Sequence, residues 1–221
     1  AAMNSPSIED YLKAIYLVAE SGEISSQAVA QRVGVSAPAV SKMLRKLQSL
    51  KLVRLHSSTG IHLTPFGRRT ALTTIRRHRL IELYLVQELG YTWDEVHAEA
   101  ERLEHHISPL FERRIAERLG HPTFDPHGDP IPGPDGVMPI AHPQLRLASA
   151  TPPCTVVITR LTDDPELLRY AARQELTPGE TWECHARDGL GDQLLLERAG
   201  KHLSVAQTVA ERIFVRTVSS K

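Results

Sequence analysis

Hydrophobic positions in roughly the first 120 residues recur at the three- and four-residue spacing of amphipathic helices. The first such segment places four apolar side chains on one face: Ile8, Leu12, Ile15 and Tyr16. Pro6 stands where this helix can begin. Residues 27–33 and 37–50 follow with similar periodicity, and Gly34 closes the first of them. The pattern therefore predicts three helices, the last two joined by a tight turn.

The pattern changes twice further along the chain. Residues 121–143 are rich in Pro, Gly and Asp, which cannot sustain a helix, so we interpret them as an irregular connection. Beyond them the pattern predicts a helix over 165–175 and four short strands, at 154–161, 181–185, 192–197 and 213–218. The chain is therefore predicted to be mainly α, with a helical pair of domains followed by a small β-rich domain.

The second and third helices have the spacing of a helix-turn-helix. Ala30 allows a close helix crossing, Gly34 takes the turn and Val40 packs underneath. Apolar and polar residues then alternate over 52–55 and 61–64, on either side of a polar hairpin tip at 56–60, which is typical of a wing. We expect the DNA contacts to come from the third helix and the wing: Ser36, Ala37, Pro38, Ser41, Lys42, Arg45, Lys46 and Arg54.

Charge is distributed unevenly along a chain whose net charge is zero. Residues 1–80 contain 12 Lys or Arg and 4 Asp or Glu, an excess of +8, so the remainder sums to −8. Solvated surface can also be basic, but a basic N-terminal third favours a polyanionic partner there, because phosphate neutralisation supplies most non-specific affinity for nucleic acid.

Histidines and acids also recur at helical spacing in a polar segment, residues 93–119, which we predict to be one helix. His97, Glu101, Glu104 and His105 would share one face of it, and a preceding helix carries His78 and Glu82 four residues apart. A salt-bridged, solvated face is one interpretation of this pattern. A divalent cation that pairs the carboxylates is the other, and spacing alone leaves both open.

Several protein classes are disfavoured by what the sequence lacks. No window approaches the length of a membrane span and no secretory pattern begins the sequence, so we expect a soluble, cytoplasmic protein without a membrane partner. Cys154 and Cys184 are too few for a disulfide framework. Neither an HExxH nor a nucleophile-elbow motif occurs, which disfavours a metallohydrolase, and we expect neither enzymatic activity nor a small organic substrate.

Taken together, these segments resemble the diphtheria-toxin-repressor family, and within it the manganese-transport regulators. The resemblance is carried by six motifs: Glu9-Asp10-Tyr11-Leu12, residues 36–42, Leu63-Thr64-Pro65-Phe66-Gly67, His78-Arg79-Leu80, residues 96–105 and residues 128–133. It implies a winged-helix DNA-binding domain over 1–72, an all-helical dimerisation and metal-binding domain over 73–143, and a small Src-homology-3-like β-barrel over 144–221. The implied function is a homodimeric, metal-dependent repressor of an operator in double-stranded DNA, acting in metal homeostasis.

The resemblance also implies two sets of metal ligands. The principal regulatory set corresponds to Asp10, Glu101, Glu104 and His105, and the second set to His78, Glu82 and His97. The C-terminal barrel is expected to add ligands near Asp163, from Asp164 and Glu166.

Two departures from the family pattern bear on the metal. Asp10 and Glu101 replace the thioether and thiol of the iron-type members, and hard oxygen donors favour Mn(II), with Fe(II) next. Lys13 stands where short manganese regulators have a carboxylate, and its ammonium group opposes a nearby cation. A winged-helix regulator that senses an organic ligand remains the alternative, with the His and Glu face then purely structural.

Overall fold

The structure is a computed structural model that describes residues 6–22, 24–56, 60–140, 144–189 and 192–218. The chain divides into two compact units. The first comprises residues 1–78, 101–114 and 132–138, and the second comprises residues 79–100, 115–131 and 139–221, in each case as far as they are described. The predicted domain boundaries near 72 and 143 follow a different division and stay predictions.

The helices and strands are interleaved along the chain. Its first 120 residues contain α1 (Pro6–Glu20), α2 (Ser26–Val33), α3 (Ala37–Ser49), β1 (Val53–His56), β2 (Gly60–Leu63), α4 (Pro65–Leu89), α5 (Trp93–Leu103) and α6 (Pro109–Arg118). The remainder contains β3 (Leu145–Arg146), β4 (Cys154–Leu161), α7 (Pro165–Gln174), β5 (Thr181–Asp188), β6 (Gln193–Arg198), β7 (Lys201–Ala206), α8 (Gln207–Ala210) and β8 (Ile213–Val218). The predicted fold class, mainly α with a small β domain, is confirmed.

The prediction of one helix over residues 93–119 is wrong, because this segment forms α5 and α6 with a turn between them. Pro109 disfavours helical geometry at Ser108, the residue before it. Ser108 instead caps the new helix, since its Oγ accepts a hydrogen bond from Phe111 N at 3.1 Å. Glu104 and His105 consequently lie in the turn that follows α5 and not on its face.

The first unit contains the winged helix. Ser25 Oγ caps α2 by accepting from Ala28 N at 3.0 Å, and Gly34 ends α2 with a φ of 72°, a conformation that favours glycine. The strands β1 and β2 pair antiparallel, with Val53 opposite Leu63 and His56 opposite Gly60. The predicted hairpin tip is partly outside the described residues, since 57–59 are not described. Apolar side chains of α1, α2, α3 and α4 share one core with this hairpin.

The junction between the hairpin and α4 depends on a close backbone approach. Thr64 Oγ1 donates to Lys51 O at 2.8 Å and accepts from Gly67 N at 3.1 Å, so it caps α4 and ties it to the turn after α3. A Cβ atom on Gly67 would lie 2.0 Å from the carbonyl oxygen of Leu52. The packing at this point therefore depends on Thr64 and Gly67 of the Thr-Pro-Phe-Gly sequence.

The second unit contains a six-stranded antiparallel sheet in the order β3-β8-β4-β5-β6-β7. Trp182 of β5 is fully buried, and α7 contributes Leu167, Leu168 and Ala171 to the same core. The strand β7 was not predicted. It pairs with β6 across Ala199-Gly200, whose positive φ angles of 50° and 80° suit a two-residue hairpin turn. Alanine is not typical of such a turn, so the sequence did not indicate it.

Within the described parts of the chain, no helix combines the length and the apolar character that crossing a membrane would need.

Replacing Gly67 with alanine should destabilise the first unit. The added methyl group would collide with backbone rather than with a flexible side chain, so we expect a loss of about 1–3 kcal/mol in the free energy of unfolding, despite alanine's higher helix propensity. Urea denaturation followed by circular dichroism measures the change. Gly189→Ala is the control, since its Cβ would meet open space; equal stability of the two variants would contradict the packing argument.

Candidate metal centre

Among the described residues, two clusters of acids and histidines each belong to a single unit. The first cluster is Asp10, Glu104 and His105, and the second cluster is Glu82, Asp125 and His127. In each cluster every residue offers one ligand atom, and these atoms lie within 4.8 Å of one another.

In the first cluster, α1 faces the turn after α5. His105 Nε2 lies 2.8 Å from Asp10 Oδ1 and 3.4 Å from Glu104 Oε1. The other ring nitrogen, Nδ1, lies 2.6 Å from Glu9 Oε2, which fixes the orientation of the imidazole as a carboxylate does for metal-bound histidines. The Glu104 side chain is 0% exposed and that of Asp10 is 37% exposed, so the cluster opens towards solvent on the side of α1.

The carboxylates strongly favour a positive charge at this point. Hydrogen bonds to Asp10 and then to Glu9 raise the pKa of His105 to about 10, although burial acts in the opposite direction. A divalent ion in the same place would satisfy the same carboxylates while His105 is neutral. Two carboxylates and one imidazole are a donor set that accepts Mn(II) or Fe(II), so these residues fit such an ion.

The other members of the predicted ligand sets contact different partners. Glu101 pairs with Lys13, whose Nζ lies 2.6 Å from Glu101 Oε1, and His78 Nδ1 lies 2.5 Å from Glu104 Oε2. Of the four residues in the predicted principal set, the first cluster unites Asp10, Glu104 and His105. Members of the predicted second set belong to both units, His78 to the first and Glu82 and His97 to the second, and this set stays a prediction.

The second cluster is deeply buried. Its three residues are at most 7% exposed, and His127 Nε2 has no hydrogen-bond partner among the described residues. Asp125 Oδ1 accepts from the backbone amides of His127 and Asp129, both at 2.9 Å. Burial raises the pKa of Asp125 well above its usual range, and the charges of Asp129 and Glu82 act in the same direction. An unpaired buried imidazole nitrogen beside two carboxylates fits a divalent cation.

His97 borders the second cluster. Its Nδ1 lies 3.1 Å from Glu82 Oε1 and 3.1 Å from Asp163 Oδ2. The structure does not bring Asp164 or Glu166 to the second cluster, and their expected role as ligands stays a prediction. Asp164 caps α7 by accepting from Leu167 N at 2.8 Å and pairs with Arg212 at 2.9 Å, and Glu166 is exposed in the first turn of α7.

Asp125 and His127 were missed by the sequence analysis, which treated residues 121–143 only as a connection. The available signal was Asp-Pro-His-Gly, in which two potential ligands are separated by one proline. The fold of this loop holds them inward: a Cβ on Gly128 would lie 2.0 Å from Thr159 O, and Leu161 N donates to His127 O at 2.9 Å. Glycine thus lets the loop approach β4 closely.

The predicted DNA-binding residues form a surface on α3 and β1. All eight are exposed: Ser36, Ala37, Pro38, Ser41, Lys42, Arg45, Lys46 and Arg54. Opposite them, Val40, Leu44 and Leu47 are buried in the winged-helix core. In the described part of the chain none of these basic side chains forms an ion pair, so their charges are available to phosphates.

Family models match three segments of the chain. Residues 3–61 match the N-terminal DNA-binding domain of iron-dependent repressors, residues 64–133 match their metal-binding and dimerisation domain, and residues 145–217 match the FeoA domain. These matches agree with the predicted order of a winged helix, a helical domain and a small β domain.

Individual proteins match as well. The chain is 41% identical over 126 residues to the iron-dependent repressor IdeR of Mycobacterium bovis, a match that covers 57% of this chain and 55% of that protein. It is 34% identical over 174 residues to the diphtheria toxin repressor of Corynebacterium diphtheriae, covering 78% and 74%. The structure of a manganese-dependent transcriptional repressor in complex with manganese superposes with a TM-score of 0.87 at 39% identity, covering 95% and 99%. The chain thus spans about half the length of the IdeR relatives it matches, and nearly all of that solved structure.

Replacing His105 with alanine should remove one class of Mn(II) site. The imidazole is the nitrogen donor of the first cluster, so we expect affinity there to fall by about a hundredfold or more, while the second cluster keeps its affinity. Isothermal titration of the purified protein with Mn(II) measures both classes. His106→Ala, at the exposed neighbouring residue, is the control; an unchanged isotherm in His105→Ala would show that the first cluster binds no metal.

Proposed function

This chain belongs to the diphtheria-toxin-repressor family of metal-dependent transcription regulators, and on that basis we propose that it represses transcription as a homodimer that binds an operator when Mn(II) or Fe(II) fills the first cluster. The observation that carries the proposal is the convergence of Asp10 with Glu104 and His105 in one unit. Asp10 lies on the first helix of the DNA-binding part of the chain, and the other two lie in the segment that matches a metal-binding and dimerisation domain.

In the proposed mechanism, an ion bound by these three residues holds α1 against the turn after α5. Asp10, Glu104 and His105 would hold the ion, which supplies the positive charge that two carboxylates need in order to stay close together. Asp10 then keeps α1 against the turn after α5, and the shared core keeps α3 in a constant orientation relative to α1. In a dimer, two α3 helices held in this way meet the two half-sites of one operator.

Thermodynamic linkage between metal binding and DNA binding gives the size of the metal's effect on DNA affinity. At a metal concentration a hundredfold above its Kd, binding stabilises the competent arrangement by about 2.7 kcal/mol. That free energy corresponds to about a hundredfold in DNA affinity. Linkage also requires DNA to tighten metal binding by the same factor.

We propose Mn(II) as the principal signal, with Fe(II) as the alternative. The donors of the first cluster are carboxylate oxygens and an imidazole, with no sulfur ligand, and this set favours hard ions over softer ones. Similar proteins are described as manganese-dependent and as iron-dependent, which is consistent with either ion.

The proposed homodimer has support from the surface of α6. Leu110 is 55% exposed and Phe111 is 48% exposed, adjacent on a helix of the segment that matches a dimerisation domain. Large apolar side chains exposed together are typical of interaction surfaces. We therefore assign this face of α6 to contact with a second copy of the chain.

The second cluster would hold a further divalent ion through Glu82, Asp125 and His127, with a structural role. Glu82 lies in α4 and the other two ligands lie in the loop before β3, so an ion there would join residues 125–129 to α4. The alternative function is a winged-helix regulator that senses an organic ligand. In that case the purified protein would contain no bound metal, and a chelator would not change its DNA binding.

Replacing Asp10 with alanine should abolish metal-dependent DNA binding. In a gel shift with operator DNA, the unchanged protein is expected to bind about a hundredfold more tightly in saturating Mn(II) than in chelator, whereas Asp10→Ala should bind weakly in both. Glu20→Ala removes an exposed carboxylate from the same helix and should behave like the unchanged protein. Operator binding that ignores both the chelator and the Asp10 substitution would exclude the proposed switch.

Replacing Lys42 with alanine should weaken DNA binding at every metal concentration. The loss of one phosphate contact reduces the slope of log affinity against log salt by about one, without changing Mn(II) affinity measured in the absence of DNA. Fluorescence anisotropy over a range of salt concentrations gives this slope. Arg173→Ala, on the exposed side of α7, is the charge-matched control and should leave the slope unchanged.

A further inference from the structure

Lys13 extends its ammonium group into the carboxylates around the first cluster. Its Nζ lies 2.6 Å from Glu101 Oε1, and 2.8 Å and 3.0 Å from the two carboxylate oxygens of Glu104. The Lys13 side chain is 13% exposed and that of Glu104 is 0% exposed. The lysine is therefore the counter-ion of a fully buried carboxylate, whose desolvation would otherwise be costly.

One carboxylate oxygen of Glu104 lies close both to Lys13 and to the metal-binding nitrogen proposed for His105. Glu104 Oε1 accepts from Lys13 Nζ at 2.8 Å and also lies 3.4 Å from His105 Nε2, the ring nitrogen that faces Asp10. An ion held by Asp10, Glu104 and His105 would be placed beside this oxygen. Two positive charges next to one buried oxygen repel each other, and the repulsion is several times stronger in this partly desolvated setting than in water.

The ammonium group keeps its charge in this environment. It forms ion pairs with the carboxylates of Glu101 and Glu104, which compensate for its burial. Lys13 therefore carries a full positive charge at neutral pH. In the absence of a divalent ion it supplies part of the charge that the first cluster requires.

We propose that Lys13 is a tethered competitor of the divalent ion and sets the metal concentration at which the first cluster fills. The ion gains the ligands Asp10, Glu104 and His105 only by sharing or displacing the lysine's contact with Glu104 Oε1. The affinity of the first cluster for the ion is thereby lower than it would be without the lysine, so a higher metal concentration is needed to fill it. This inference rests on the proposed function, because it requires the first cluster to bind metal.

A purely structural lysine would have the opposite effect. If Lys13 only preassembled Glu101 and Glu104 for the ion, its removal would misplace these ligands and weaken metal binding. A tethered competitor, once removed, leaves the ligands with unbalanced negative charge and strengthens metal binding. The direction of the change in Mn(II) affinity therefore distinguishes the two roles.

The experiment measures Mn(II) binding by the full chain, using electron paramagnetic resonance of unbound Mn(II), with His127→Ala in every sample to remove the second cluster. Lys13→Met keeps the length of the side chain without its charge, and it should bind Mn(II) at least about tenfold more tightly. Lys13→Arg keeps the charge and should stay within about threefold of the lysine form. Lys51→Met removes a charge from an exposed position in the same unit and controls for net charge.

Thermal unfolding gives a second readout, which can be used even if Lys13→Met is less stable than the lysine form without metal. In chelator its midpoint should lie below that of the lysine form, and Mn(II) should raise the midpoint more in Lys13→Met than in the lysine form. Equal or weaker Mn(II) affinity in Lys13→Met, with an equal or smaller rise in midpoint, overturns the inference. If neither the lysine form nor Lys13→Met binds Mn(II) in the His127→Ala background, the first cluster holds no metal and the proposed function fails together with the inference.

Discussion

The contact of His105 Nε2 with Asp10 Oδ1, 2.8 Å long, joins the first helix of the chain to the turn that follows α5. Glu104, which is fully buried beside it, makes that contact dependent on positive charge, because carboxylates cannot remain close together without compensation. The protein has two internal sources of that charge, Lys13 and a protonated His105. A divalent ion is the external source that the cluster fits.

Local backbone choices place these groups where they can meet. In the polar segment α5 ends at Leu103 and α6 begins at Pro109 after the Ser108 cap, so Glu104 and His105 lie in a turn with access to α1. Gly67 allows α4 to start against the carbonyl of Leu52, which ties the wing to the rest of the winged helix. Gly128 has the same function in the second unit, where it brings the loop with Asp125 and His127 against β4. Both clusters thus depend on positions at which helix continuation or a Cβ atom is excluded.

Periodicity and motif spacing predicted the winged helix, the helical segments and most of the C-terminal strands, because these elements follow from local patterns of burial. The same spacing identified Glu104 and His105 as ligand candidates, and the family resemblance added Asp10. Helical spacing did not predict that the polar segment is interrupted after Leu103, or that Glu101 forms an ion pair with Lys13. His127 and Asp125 lay in a segment without periodicity, and only the fold of the loop shows that they point inward together with Glu82.

The central claim is that one divalent ion is shared by Asp10 of α1 and by Glu104 and His105 of the following turn. A crystal structure of the protein grown with saturating Mn(II), with anomalous scattering recorded to locate manganese, tests it most directly. The account predicts an anomalous peak within bonding distance of all three side chains. A structure in which Asp10 faces away from Glu104 and His105, with no manganese among them, would contradict it.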